Sequence, residues 1–437
     1  MKLLHFFTFT CLFAQFAVSQ IENGPMIGHV SHAEAKLWVQ TVKSQTVEFA
    51  YRSTQSNEKW RYSQAFVTKA NEAFICELTL KNLNPGLTYE YRVALNHHLQ
   101  APIGKQQFTT ASHWTYRTPP PNFSFAIGSC AYINEATYDR DGKPYGGAYQ
   151  IFESIANQQP DLMLWLGDNV YFREPDWTSQ SGMIHRYTHS RNLSELKQLM
   201  ANTPQYAIWD DHDFGPNNLD GSFINKGLSK NVFDMFWANP DQNHPALEGI
   251  TNQFEWSDCH FFLLDNRFNR SPNDRKDGVR SVLGKSQLEW LKDALISSPA
   301  SFKFIAIGGQ FLNTAPVFEN YSANGFDKER QELIDFIHLH QIKNVVFLTG
   351  DRHHSELSML KVEGRPTIYD LTISPLTSGV HDASQEANQL RIAGSHIAKR
   401  NFGLLSVDGE LNKRVLTIEI KDADGLPIWQ TQIEGEK

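Results

Sequence analysis

Four apolar runs in this chain each end in residues that could hold a metal ion or move a proton. FSFAIGSC (123–130) delivers Cys130, and DLMLWLGDNVY (161–171) delivers Asp168 and Tyr171. QYAIWDDHD (205–213) delivers Asp211 and His212, and NVVFLTGDRHH (344–354) delivers Asp351 and His353. An apolar run with no polar break, closed by glycine or acids, reads as a fully buried strand entering a tight turn. In an open α/β sheet, ligands bind beyond the carboxyl ends of such strands. Each position alone has a plain structural reading, with Asp168 capping a helix and Tyr171 packing. Four strand ends that each carry a thiolate, carboxylate, phenolate or imidazole read instead as a metal site.

The charge of that donor set constrains its partner. Three carboxylates, a thiolate and a phenolate converge only with at least about four compensating positive charges, which implies two cations. Thiolate and phenolate favour trivalent iron, whereas an all-carboxylate shell suits a hard divalent ion such as calcium, magnesium or manganese. Asp168 is the natural bridge. Two cations side by side can clamp the attacking and leaving oxygens of a phosphoryl group, so the chemistry that fits is phosphoester hydrolysis.

The elements that position these residues follow from the same patterning. FSFAIGSC, a helix within GGAYQIFESIANQQP (146–160) and the strand of DLMLWLGDNVY form a β-α-β unit with parallel pairing. NVFDMFWAN is predicted helical, and Phe254 to Asp265 forms a strand pair ending in Leu264-Asp265-Asn266-Arg267. Ser286 to Ser297 opens with the Ser286/Glu289 spacing of a capping box. FKFIAIGGQ (302–310) is a further buried strand, and Asp327 to Gln341 an amphipathic helix. Residues 367–374, 402–407, 414–420 and 427–433 read as mostly antiparallel strands that complete a second sheet. Phe172 to Gln198 is polar and irregular, and reads as a surface loop with Arg186 and Arg191 on a solvated face.

Ahead of this region, residues 21–111 alternate in short strands, as in a β-sandwich. Leu83 to Tyr89, LNPGLTY, resembles the tyrosine-corner segment of fibronectin type III domains. Residues 112–122 hold three consecutive prolines and read as a stiff linker, so the second domain spans 123–437. Residues 1–20 combine Lys2, an apolar stretch and Ala17-Val18-Ser19, which is the pattern of a secretory signal peptide without a membrane span. The mature chain is therefore expected to be secreted or periplasmic. It then keeps Cys76, Cys130 and Cys259, an odd number, so at least one thiol is unpaired. A net charge of -8 offers no basic stripe for nucleic acid.

Gly128-Ser129-Cys130, Gly167 to Tyr171, Trp209 to Asp213, Leu264 to Arg267 and Gly350 to His353 together resemble the signature segments of the alkaline phosphatase D (PhoD-like) metallophosphatases. The likeness runs across about residues 25–433. It implies a four-layer α/β/β/α metallophosphatase core behind a fibronectin III or Ig-like sandwich, and cleavage of small-molecule phosphomonoesters and phosphodiesters. By that resemblance Cys130, Asp168, Tyr171 and His353 surround ferric iron (Fe3+), and Asp168, Asp211 and Asp351 hold a second cation. That second ion is calcium (Ca2+) in the family pattern, with Mg2+, Mn2+ or Zn2+ as the other candidates. His212 occupies the position of a histidine that touches the phosphate and the leaving group, and Arg267 is a candidate phosphate ligand. Competing readings on the same residues are a phospholipase D-like or nucleotide phosphodiesterase, or a surface-binding protein whose metals are structural.

Overall fold

The computed structural model describes residues 20–436 apart from 56–57, 243, 319 and 324, so residues 1–19 of the expected signal peptide lie outside the described residues. The strand Leu162–Leu166 is buried at every position, as its unbroken apolar sequence demands. It sits inside a six-stranded sheet ordered Gln205–Ile208, Leu162–Leu166, Phe123–Gly128, Asn401–Asp408, Val415–Asp422, Pro427–Glu434. The first three strands are parallel, with Ile127 beside Leu164 and Leu164 beside Tyr206, and the last three are antiparallel.

A second six-stranded sheet is ordered Asn252–Trp256, Cys259–Leu263, Phe302–Ala306, Val345–Thr349, Ile368–Thr372, Glu356–Leu360. Its four central strands are parallel. The sheets face each other through aromatic rings: Phe125 lies edge-on to Phe261 at 5.3 Å and to Phe304 at 5.1 Å, and Tyr206 stacks on Phe254 at 3.9 Å. Helices Ile151–Asn157, Gln180–Arg191, Lys197–Asn202 and Lys226–Phe236 share the core of the first sheet. Helices Lys285–Ser297 and Asp327–Leu339 cover the far side of the second over a separate core. Helices outside two stacked sheets give the expected α/β/β/α order, and both sets of parallel strands deliver their carboxyl ends to one edge.

Four local expectations are corrected. The segment after Phe172 contains the helix Gln180–Arg191, with Ser179 accepting from the Gly182 N–H as its cap. Arg186 and Arg191 are buried in it, and Arg186 pairs with Glu135 at 2.6 Å and Asp176 at 2.9 Å. The apolar period that marks an amphipathic helix is missing because its inner face is partly ionic. The Ser286/Glu289 box does not form; the helix begins at Lys285 after Gly284, with no side-chain cap. The strand that the sequence QYAIWD predicts over 205–210 spans only Gln205–Ile208, since Asp210 caps a single helical turn, Asp211–Phe214. The late strands divide between the sheets: Ile368–Thr372 joins the second, parallel to Val345–Thr349, and only the last three complete the first.

The strands between Ile21 and Thr109 form two small sheets around their own apolar core, with Cys76 buried in it. Tyr89 acts as the corner, its hydroxyl accepting from the Asn84 N–H at 2.8 Å. This unit is bonded onto the α/β core. Trp38 Nε1 donates to the Met235 carbonyl and the Tyr91 hydroxyl to the Ala201 carbonyl, both at 2.8 Å. Cys76, Cys130 and Cys259 are all buried free thiols. A Cβ at Gly28 would fall 2.4 Å from the Ala238 carbonyl oxygen, a clash with backbone across this seam. Gly28→Ala is expected to destabilise the protein by about 1–3 kcal/mol, the cost of overpacking, read as a lower urea midpoint.

Candidate metal centre

Each donor reaches the common edge from the end of a strand or the turn beyond it. Cys130 follows Phe123–Gly128, Asp168 follows Leu162–Leu166, and Asp351 and His353 follow Val345–Thr349. All four have left-handed backbones, with φ of +61°, +51°, +66° and +56°. Such conformations cost on the order of 1–3 kcal/mol at a non-glycine residue and persist where the surroundings over-determine them. They are what turns these side chains back over the sheet edge.

Three overlapping groups of donor atoms result, each within 4.8 Å of one another: Cys130, Asp168 and His353; Asp168, Asp211 and His212; Asp210, Asp211 and Asp351. Asp168 belongs to two of them, and so does Asp211. Tyr171 joins the first, its hydroxyl 3.2 Å from His353 Nε2. The Cys130 Sγ lies 3.6 Å from Asp168 Oδ2. The His212 ring lies tilted by 31° against Tyr171 with ring centroids 4.2 Å apart, and its backbone N–H donates to Asp168 Oδ1 at 3.1 Å. Seven of the expected site residues are thus brought together.

Arg267, the eighth, is also present but committed. Its guanidinium bonds Asp210 Oδ1, lies 3.7 Å from Asp211 Oδ1 and donates to the Leu219 carbonyl at 3.3 Å. Several further residues support the donors. Asp213 accepts from the Asp210 and Asn169 N–H groups, and the Asn218 N–H donates to Asp211 Oδ2 at 2.5 Å. Asp210, Asp213 and Asn169 sit inside the quoted motifs and were legible as supports. Ser374, whose hydroxyl donates to Cys130 Sγ at 3.2 Å, lies 244 residues away and was not.

The electrostatics are those of an over-anionic cluster. Burial first, then Asp211, Asp210, Asp213 and Asp351, push the Asp168 carboxyl well above its ordinary range. Burial and the Asp168 and Asp351 charges raise the Cys130 thiol, and burial, Cys130 and Asp168 raise the Tyr171 phenol. Burial also opposes ionisation of Asp211, but Arg267 and His212 outweigh it and hold that carboxyl low. Burial and the neighbouring His212 lower His353 to about 4, leaving it a neutral imidazole at pH 7. Asp210 Oδ2 and Asp211 Oδ1 are buried and accept no hydrogen bond. Bare carboxylate oxygens beside a thiol, a phenol and a neutral imidazole are a donor set that fits cations, which supply the missing charge.

Residues 125–410, well over half of the chain, match the family described as PhoD-like phosphatase. The chain belongs to that family. Residues 18–113 match a domain of unknown function (DUF7800). Alkaline phosphatase D of Bacillus subtilis (strain 168) is 26% identical over 375 residues, covering 74% of this chain, and the chain spans 61% of that relative's length. Two solved structures share the fold. "Structure of PhoD" superposes with a TM-score of 0.76 at 18% identity, covering 97% of this chain and 94% of the other. The purple acid phosphatase PPD1 from yellow lupin (Lupinus luteus) seeds gives 0.69 at 10% identity, covering 94% and 74%.

Because Asp168 is shared by two donor groups, Asp168→Asn removes one charge from both. Metal content and any activity that depends on it are expected to fall together, measured by elemental analysis alongside turnover. A variant that keeps its metal would place the shared ligand elsewhere.

Proposed function

We propose that the chain is an exported, metal-dependent hydrolase of small-molecule phosphoesters, working at this strand-end centre. The observation that supports the reading is the sharing of Asp168 between the group with Cys130 and His353 and the group with Asp211 and His212, which suits two adjacent cations. Cys130, Asp168, Tyr171 and His353 would hold ferric iron, the softer donors matching the trivalent ion. Asp168, Asp211 and Asp351 would hold a hard divalent ion, calcium first among the candidates. When bound, such a pair polarises phosphoryl oxygens and acidifies a water molecule.

The remaining work falls to the chain's own residues. Arg267 keeps Asp210 and Asp211 in place and offsets their charge, so it supports the donors rather than the substrate. His212 is half-buried, held by its ring contact with Tyr171 and by its place in the turn after Asp210. Its backbone N–H donates to Asp168 Oδ1, and its imidazole, within 4.8 Å of the Asp168 and Asp211 carboxylates, would serve the leaving-group oxygen. Membership in the PhoD-like phosphatase family and the resemblance to alkaline phosphatase D support the reaction class. Export rests on the composition of residues 1–20, and no helix among the described residues is long and apolar enough to cross a membrane.

Two outcomes test this reading. A ferric ion bound by Cys130 and Tyr171 gives a visible charge-transfer band, so the purified protein is expected to be coloured; a colourless, iron-free and fully active preparation would overturn the iron assignment. His212→Ala is expected to lower the rate by roughly 10²–10⁴ with metal content unchanged. The loss should be smaller for nitrophenyl esters, whose leaving group needs no proton, than for alkyl esters. Equal losses would remove proton donation from the scheme.

A further inference from the structure

Tyr145 belongs to none of the strand-end motifs, and it stands on a polar segment between the first strand and the first helix of the core. Its hydroxyl lies 3.1 Å from Nδ1 of His353. The other ring nitrogen, Nε2, faces the donors, 3.2 Å from the Tyr171 hydroxyl and 3.5 Å from the Ser378 hydroxyl. The two nitrogens of His353 therefore look in different directions: one to the centre and one to Tyr145.

We propose that Tyr145 is a positioning residue that holds His353 with its proton on Nδ1 and its Nε2 lone pair turned toward the metal. The proposal rests on the reading of His353 as a ligand. A neutral imidazole has one N–H and one lone pair, and a ligating Nε2 leaves the proton on Nδ1, where it needs an acceptor. The Tyr145 hydroxyl oxygen is that acceptor, and partners of this kind set the tautomer and ring orientation of metal-binding histidines. The His353 backbone is pinned independently. Its N–H donates to the Ser374 hydroxyl at 3.0 Å and its carbonyl accepts from the His381 N–H at 2.9 Å. The ring's rotation is left to its own partners, Tyr171 and Ser378 at Nε2 and Tyr145 at Nδ1.

Tyr145 is itself held. Arg400 donates through Nη2 to the Tyr145 carbonyl at 3.0 Å and through Nε to the Ser378 carbonyl at 2.9 Å, tying the two segments together. The Tyr145 ring lies edge-on to Tyr132 at 4.9 Å, and Gly379 sits against it so closely that a Cβ there would fall 2.6 Å from a ring carbon. The residue is still 44% exposed, so it can be altered without opening the core.

The test is retention of iron by the metal-loaded full chain under graded EDTA, read by elemental analysis, with far-UV circular dichroism as the check on folding. Tyr145→Phe keeps the ring and removes the acceptor, and is expected to weaken retention about 10–100-fold. Gly379→Ala displaces the ring from the other side and is expected to weaken it as well. Combined with Tyr145→Phe it should add little, because both changes break one interaction. Wild-type retention in Tyr145→Phe overturns the positioning role while leaving the metal reading standing. Full additivity of the two variants overturns it too, since ring packing and not the hydroxyl would then matter. A wild-type chain that retains no metal overturns the metal reading, and this proposal with it.

Discussion

The structure depends on keeping several anions together at the edge where two sheets end. Asp168, Asp210, Asp211 and Asp213 are all buried, and Arg267 is the cation bonded directly among them. In a medium of low dielectric, like charges at these distances repel by several kcal/mol per pair unless they are protonated or countered. Burial first and that repulsion second raise the carboxyl of Asp168, the thiol of Cys130 and the phenol of Tyr171. Under the reading proposed above, cations would reverse it, turning the same groups into anionic ligands.

Bringing the two sheet ends so close demands space as well as charge. Gly350, at the end of Val345–Thr349, lies where a Cβ would be 2.6 Å from the Ser129 side chain and 2.7 Å from the Leu166 carbonyl oxygen. Gly308 plays the same part beyond Phe302–Ala306, with a Cβ there reaching within 2.5 Å of the Asp210 carboxyl. The second sheet can therefore press its loops against those of the first. The left-handed turns at Cys130, Asp168, Asp351 and His353 then fold their side chains into the gap. Packing of the aromatic layer between the sheets holds this edge in register, which is how an apolar core positions a polar site.

The helix Gln180–Arg191 illustrates where sequence patterning gives out. Periodicity arguments assume that the buried face is apolar. Here part of that face is Arg186 and Arg191, the first paired with Glu135 and Asp176, the second lying over the rings of Trp38, Phe236 and Trp237 at 4.5–5.4 Å. All of those partners except Asp176 come from other segments of the chain, so a local window holds little of the information that the arginines are inside. The same holds for the sandwich, whose residues Met26 and Trp38 are part of the main core.

Residue types and their order determined the buried strands, the parallel pairing of the first β-α-β unit and the donors at each strand end. These are local properties, set by runs of apolar side chains and the breaks that follow them. Convergence of Cys130, Asp168 and Asp211 was also legible, because parallel strands of one sheet place their carboxyl ends on the same side, whereas Asp351 and His353 join them only through the second sheet. Tertiary structure decided what local chemistry cannot carry. It split the late strands between two sheets, committed Arg267 to Asp210 and Asp211, and wound Asp211 and His212 into a helical turn capped by Asp210. It also brought Ser374 to Cys130 and Tyr145 to His353, across 244 and 208 residues. Such contacts depend on the stacking of two sheets, and a distance of that kind leaves no period or motif in the sequence.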